Sequence, residues 1–199
     1  MAVNKLFSER LEMWLKSDQP KTLADLVAVF NEKSFAVSFV VLLILPALPL
    51  PTGGVTHIFE IIAILLALEM VFGRKTIWLP KRWLKKDISA IAQRKAVNYM
   101  IAKLKWVEAR SRPRYKHIVV NEAFLRLTGV LIIVFSLTAF LAPPFTGLDT
   151  LPSLAVVAIS LAIIFEDLLL YLVGLVFGVV GIITVLILGS AIFNAFSLL

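Results

Sequence analysis

Six ionisable residues lie within or beside the apolar runs of this sequence: His57, Glu60, Glu69, Asp149, Glu166 and Asp167. A charged group inside a membrane is costly, so each is a functional candidate by default. Glu60 and Glu69 are about two and a half helical turns apart and point to opposite sides of one helix. Glu69 lies one turn before Gly73-Arg74, which offers Arg74 as an interfacial partner. Glu166 and Asp167 are adjacent, and the chain continues apolar through Leu168–Gly174. Two neighbouring acids in a low dielectric resist double ionisation, which leaves one poised to take a proton. The competing reading makes them the boundary of a span. The sequence has no Cys/His metal cluster, no His-Glu-x-x-His, no Gly-x-Ser-x-Gly and no phosphate-binding glycine loop. We therefore expect no enzyme, no metal and no cofactor.

Two Pro/Gly-broken stretches must position these groups. The first is Leu45-Pro-Ala-Leu-Pro-Leu-Pro-Thr-Gly-Gly-Val-Thr56, between the apolar runs Phe35–Leu50 and His57–Phe72. The second is Leu141-Ala-Pro-Pro-Phe-Thr-Gly-Leu-Asp-Thr-Leu-Pro152. Pro49 matches Pro143, Thr52-Gly53 matches Thr146-Gly147, and Thr56 matches Thr150, all at one constant offset. Proline removes a backbone donor and glycine frees φ, so neither stretch continues a helix. Broken segments at matching places in two halves point to a midplane site in transporters; surface loops between helices are the simpler alternative. The expected site is a pseudo-symmetric centre formed by Pro49, Thr52, Gly53, Thr56, Pro143, Thr146, Gly147 and Pro152. Helices beginning near Thr56 and Pro152 would aim their positive ends at an anionic group there. Glu166 or Asp167 would be the proton-responsive element.

The wider composition sets this in a membrane. Of 199 residues, 60% are hydrophobic, and mean hydropathy is +0.93, above the usual soluble domain. Cysteine is absent, which excludes disulfides and thiol chemistry. The net charge of +7 is concentrated: residues 74–121 carry 14 Lys/Arg against Asp87 and Glu108. Between apolar runs, such a block fits the positive-inside rule better than nucleic-acid binding. It is expected in the cytoplasm, with both Pro/Gly stretches opening to the other side. No cleavable signal peptide is visible in the polar first 33 residues.

The fold expected is an all-α integral membrane bundle in four segments. Residues 1–33 form two amphipathic helices, split at Pro20, the second beginning at a capping box at Thr22–Asp25. Residues 34–73 are a first membrane repeat. Phe35–Leu50 and His57–Phe72 have 16 residues each, about 24 Å as helices, short of a ~30 Å core. They are either two thin spans or a re-entrant hairpin. Residues 74–121 are a basic connector, with Arg74, Arg112 and Arg114 as contacts for anions or lipid headgroups. Residues 122–199 hold a second repeat and a C-terminal transmembrane helix. Ala123–Ala142 reads as a full span, with Arg126 snorkelling to its end. Ser153–Leu172 and Gly174–Leu199 read as two further apolar segments. The Gly174-Leu-Val-Phe-Gly178 spacing suggests a close-packing face for a homodimer.

The chain resembles the ExoD family of bacterial exopolysaccharide-synthesis membrane proteins from Thr22 onward. The resemblance rests on Thr22-Leu-Ala-Asp-Leu26, Glu32-Lys-Ser-Phe35, Leu45-Pro-Ala-Leu-Pro-Leu-Pro51, Leu66-Ala-Leu68, Gly73-Arg74 and Trp78-Leu-Pro80. Arg112-Pro113, Pro143, Gly147, Leu151-Pro152 and Glu166-Asp167 continue it. The sequence departs from the family pattern at Val55–Phe59, Glu69, Asp149 and Leu168. The resemblance implies a bacterial inner-membrane protein linked to exopolysaccharide production and, in some members, to alkaline tolerance. Two mechanisms fit. One is a small transporter of an anionic or lipid-linked carrier, or of a proton-coupled ion. The other is a non-transporting scaffold or regulator of the polysaccharide machinery.

Overall fold

The computed structural model describes residues 7–17, 22, 24, 33–48, 56–74, 77–78, 96–119, 121–143 and 146–197, with backbone alone at 15, 96–100, 190 and 192–197. Regular structure among them is helical. The helices are α1 (Phe7–Lys16), α2 (Ser34–Leu43), α3 (Thr56–Val71), α4 (Ala96–Arg110), α5 (Lys116–Val119), α6 (Glu122–Leu141), α7 (Thr150–Phe165) and α8 (Leu168–Ser197). The expected second amphipathic helix, and Pro49, Thr52 and Gly53, lie outside the described residues.

Four helices form a closed square. α2 packs on α3, α3 on α6, α6 on α7, and α7 on α2. The starts of α2 and α6 and the ends of α3 and α7 line one cavity, so neighbours around the square run antiparallel. α8 lies outside the square against α7 and α6.

The apolar pattern is inside out for a water-soluble protein. All ten residues of α2 are buried, and α7 is buried along most of its length. The two helices long and apolar enough to cross a bilayer, Glu122–Leu141 and Leu168–Gly189, are only 33% and 22% buried. Their outer faces present Leu127, Val134, Leu137, Leu172, Val176 and Leu186. In water such faces would be an aggregation liability; against lipid they cost nothing. Helix α2 is about 15 Å long at ~1.5 Å per residue. It turns at Pro46 while still enclosed. Broken backbone survives in hydrocarbon only under such protein cover.

Three boundaries differ from those expected. The first apolar run is helical only to Leu43, and turns follow through Leu48. The segment 153–172 is not one helix: α7 ends at Phe165, and α8 starts at Leu168 and runs 30 residues. Glu166, at φ 58°, makes the left-handed step between them. The glycine face of α8 is turned inward. A β-carbon on Gly174 would lie 2.7 Å from Ile159 Cγ1, and one on Gly181 would lie 2.8 Å from Pro152 N. These glycines let α7 and α8 close on each other, and the face assigned to a homodimer is used within the chain.

α1 docks on α4 through its polar groups. Glu108 accepts hydrogen bonds from Phe7 N at 2.7 Å and Ser8 N at 3.1 Å, which satisfies donors a helix start leaves unpaired. Glu12 bridges Lys16 and Lys105.

Candidate functional site

Glu60 is completely buried on α3. One turn earlier on the same helix, His57 Nδ1 lies 2.8 Å from Glu60 Oε2. The i, i+3 spacing brings the two side chains together. Glu60 Oε1 has no partner among the described residues. The His57 ring stands edge-on to Phe140 of α6, 5.3 Å between centroids, which fixes its plane beside the carboxyl. Asp149, in the turn before α7, completes the group. Burial raises its carboxyl above the ordinary aspartate value, and the charge of His57 opposes that rise.

Several hydroxyls are also buried along the helices of the square. Ser34 and Ser38 on α2, Ser136 on α6, and Ser153 and Ser160 on α7 are buried, and their Oγ atoms have no partner among the described residues. Thr128 and Thr184 on α6 and α8 instead bond back to the carbonyl four residues earlier. Buried polar atoms of this kind are usually satisfied by a partner or an ordered water.

The opposite end is a tie rather than a switch. Lys33 Nζ donates to the Ile164 carbonyl at 2.6 Å and lies 3.3 Å from Glu166 Oε1. Lys116 Nζ lies 2.9 Å from Glu166 Oε2. Burial alone would raise the Glu166 carboxyl, but Lys116 and Lys33 outweigh it and hold it below the usual glutamate value. Asp167 Oδ1 accepts from Leu169 N at 3.1 Å and so caps α8. Its Oδ2 accepts from Arg112 N at 3.1 Å, and Arg114 Nη1 lies 3.8 Å from Oδ1. The expectation of a desolvated, proton-accepting Glu166 is corrected: two ammonium groups favour its charged form.

Of the other expected residues, the described ones of the two Pro/Gly stretches lie at the end of the square that carries His57 and Glu60, and the three arginines lie toward the basic end. Thr56 is buried at the start of α3, and Pro152 is buried in the first turn of α7. Thr146 and Gly147 are exposed. The Thr146 hydroxyl donates to the Pro143 carbonyl at 2.6 Å and accepts from Leu148 N at 3.3 Å, an ordinary local turn. Arg112 and Arg114 serve the Asp167 tie. Arg74 stacks over Trp78 at 5.0 Å, and Glu69 accepts from Trp78 N at 2.6 Å instead of pairing with Arg74. His57 with Glu60 is the pair that the sequence reading left unassigned, although their spacing was visible.

Lipid-type outer faces on two long apolar helices, around an apolar core that holds one buried acid, suggest a helical membrane protein. The chain matches the model of the family described as "Exopolysaccharide synthesis, ExoD" over residues 7–187, and it belongs to the ExoD family. It is 28% identical over 177 residues to the uncharacterized protein slr1875 of Synechocystis, covering 88% of this chain and 82% of the relative. It is 27% identical over 175 residues to Protein ExoD of Rhizobium meliloti, covering 87% and 72%. No solved structure matches it.

Proposed function

We propose that this ExoD-family chain is a small multi-pass transporter of the bacterial inner membrane that couples movement of an ion or anionic solute to protons, in support of exopolysaccharide synthesis. The observation that carries the reading is the buried Glu60, hydrogen-bonded to His57 on one oxygen, with no partner on the other among the described residues. A buried acid of this kind is expensive and belongs to proton relays. In this reading the basic end is cytoplasmic, and the Glu60 end faces outward. Two repeats, α2–α3 and α6–α7, face the same way about an axis through the square. Supporting this, Lys33 before α2 reaches the end of α7, while Arg126 on α6 lies beside Gly73 at the end of α3.

The test is proton flux into liposomes containing the purified protein and a pH-sensitive dye, under an imposed potential. Wild type should conduct, Glu60→Gln should lose at least about tenfold, and Glu166→Gln should conduct like wild type. Absence of flux from wild type, or unchanged flux in Glu60→Gln, overturns the reading. The scaffold alternative draws on the exposed basic face of α4, where Arg110 stacks 4.0 Å over Trp106. It requires a silent wild type in the same assay.

A further inference from the structure

At the basic end the square opens into a cavity of about 470 Å³ lined from all four of its helix ends. Among the described residues, three cations, Lys33, Arg74 and Arg126, face one carboxylate, Glu122. Their engagement differs. Lys33 spends donors on Ile164 and Glu166. Arg126 makes no hydrogen bond or ion pair among the described residues, and its guanidinium lies against the backbone of Gly73. Gly73 has φ +74°, and a β-carbon there would fall 2.7 Å from Arg126 Nη2. Glycine therefore serves twice at this position: it permits the turn and leaves room for the guanidinium. The first-turn N–H groups of α2, which the Lys33 side chain does not cap, stand at the same end.

The remaining described lining is apolar, chiefly from Phe35, Met70, Leu125 and Ile163. A free anion would gain nothing from those walls. A headgroup with hydrocarbon attached satisfies both surfaces, and the volume is that of an ordinary small-molecule site.

We propose that this cavity binds a phosphate group carried on a hydrocarbon chain, with Arg126 as the principal phosphate ligand and Arg74 beside it. Planar guanidinium groups suit phosphate oxygens. The site is separate from the His57–Glu60 pair, and the proposal does not rest on proton transport.

The test is native mass spectrometry of the full chain in detergent with phosphatidylglycerol, phosphatidylcholine or a polyprenyl monophosphate. One of the two anionic lipids should be retained at least about tenfold better than phosphatidylcholine. Arg126→Gln and Arg74→Gln should each cut retention about tenfold, or ~1.4 kcal/mol. Leu125→Trp should reduce it by filling the cavity with every charge kept. Arg110→Gln, the same charge loss on α4, should change nothing. A preference for polyprenyl phosphate identifies a lipid-linked carrier, and a preference for phosphatidylglycerol a bilayer lipid; both uphold the site. Equal retention of phosphatidylcholine, displacement by equimolar inorganic phosphate, or an equal loss in Arg110→Gln overturns it.

Discussion

Gly178 of α8 lies so close to the Phe135 ring of α6 that a β-carbon on it would overlap the ring atoms. The contact explains why α8 comes so near the square. It also changes what a bulky residue there would do. Gly178→Leu should destabilise the folded chain by about 1–3 kcal/mol or more, as overpacking does, rather than weaken an association between copies. Thermal unfolding in detergent checks this: a large drop in Tm with an unchanged oligomer distribution is expected.

Asp167 supports two segments at once, capping α8 and holding the backbone of Arg112. Asp167→Ala removes both acceptors and should cost about 1–2 kcal/mol. Asp167→Asn keeps one carbonyl oxygen for Leu169 N and should cost less. Limited proteolysis is the reporter. Cleavage at 110–116 should accelerate in the order wild type, Asn variant, Ala variant.

The Glu166 pairings set an acid-side dependence. Its folded pKa is below the ordinary carboxylate value, so its stabilising contribution is complete above the unfolded value of about 4.3. It disappears as pH falls through the lowered folded value. Both lysines are largely exposed, which limits the contribution to about 0.5 kcal/mol. Scans of Tm between pH 3 and 8 should show wild type and Glu166→Gln converging at the acid end. They should separate slightly but constantly from pH 6 upward.

Ser160 provides a stability–activity test. Its hydroxyl is buried without a partner among the described residues, and such a group costs about 1–3 kcal/mol. Ser160→Ala should raise the unfolding free energy by about 1 kcal/mol while lowering proton flux. A destabilised variant with full flux would count against a solvated interior.

Helix locations were legible where periodicity or a broken apolar run marked them, as for α1, α3, α4 and α6. The α7–α8 turn was not. Residues 153–199 are almost uninterrupted in hydropathy, and the left-handed step sits on Glu166-Asp167, which reads equally well as chemistry. Glu60 and Glu69 were correctly separated to opposite sides of one helix, but spacing cannot say which side is enclosed. That depends on α6 covering α3, a contact between segments far apart in the chain. The Gly174–Gly178 spacing announced close approach without naming the neighbour, because a small residue carries no information about what packs on it.

The length of α8 has an electrical consequence. Pro152, at the start of α7, meets Gly181, yet α8 runs on to Ser197, about 24 Å further at ~1.5 Å per residue. Leu186 and Leu188 remain exposed and apolar on that extension. Under the proposed orientation, hydrocarbon therefore continues beyond the level where the described helices of the square stop, and His57–Glu60 lies below the outer surface of the bilayer. A proton bound there from outside has already traversed part of the transmembrane field. At about 2.3 kcal/mol per charge per 100 mV for the full drop, even a third of it makes proton occupancy depend on membrane voltage. The energised membrane would then tune the pair together with external pH.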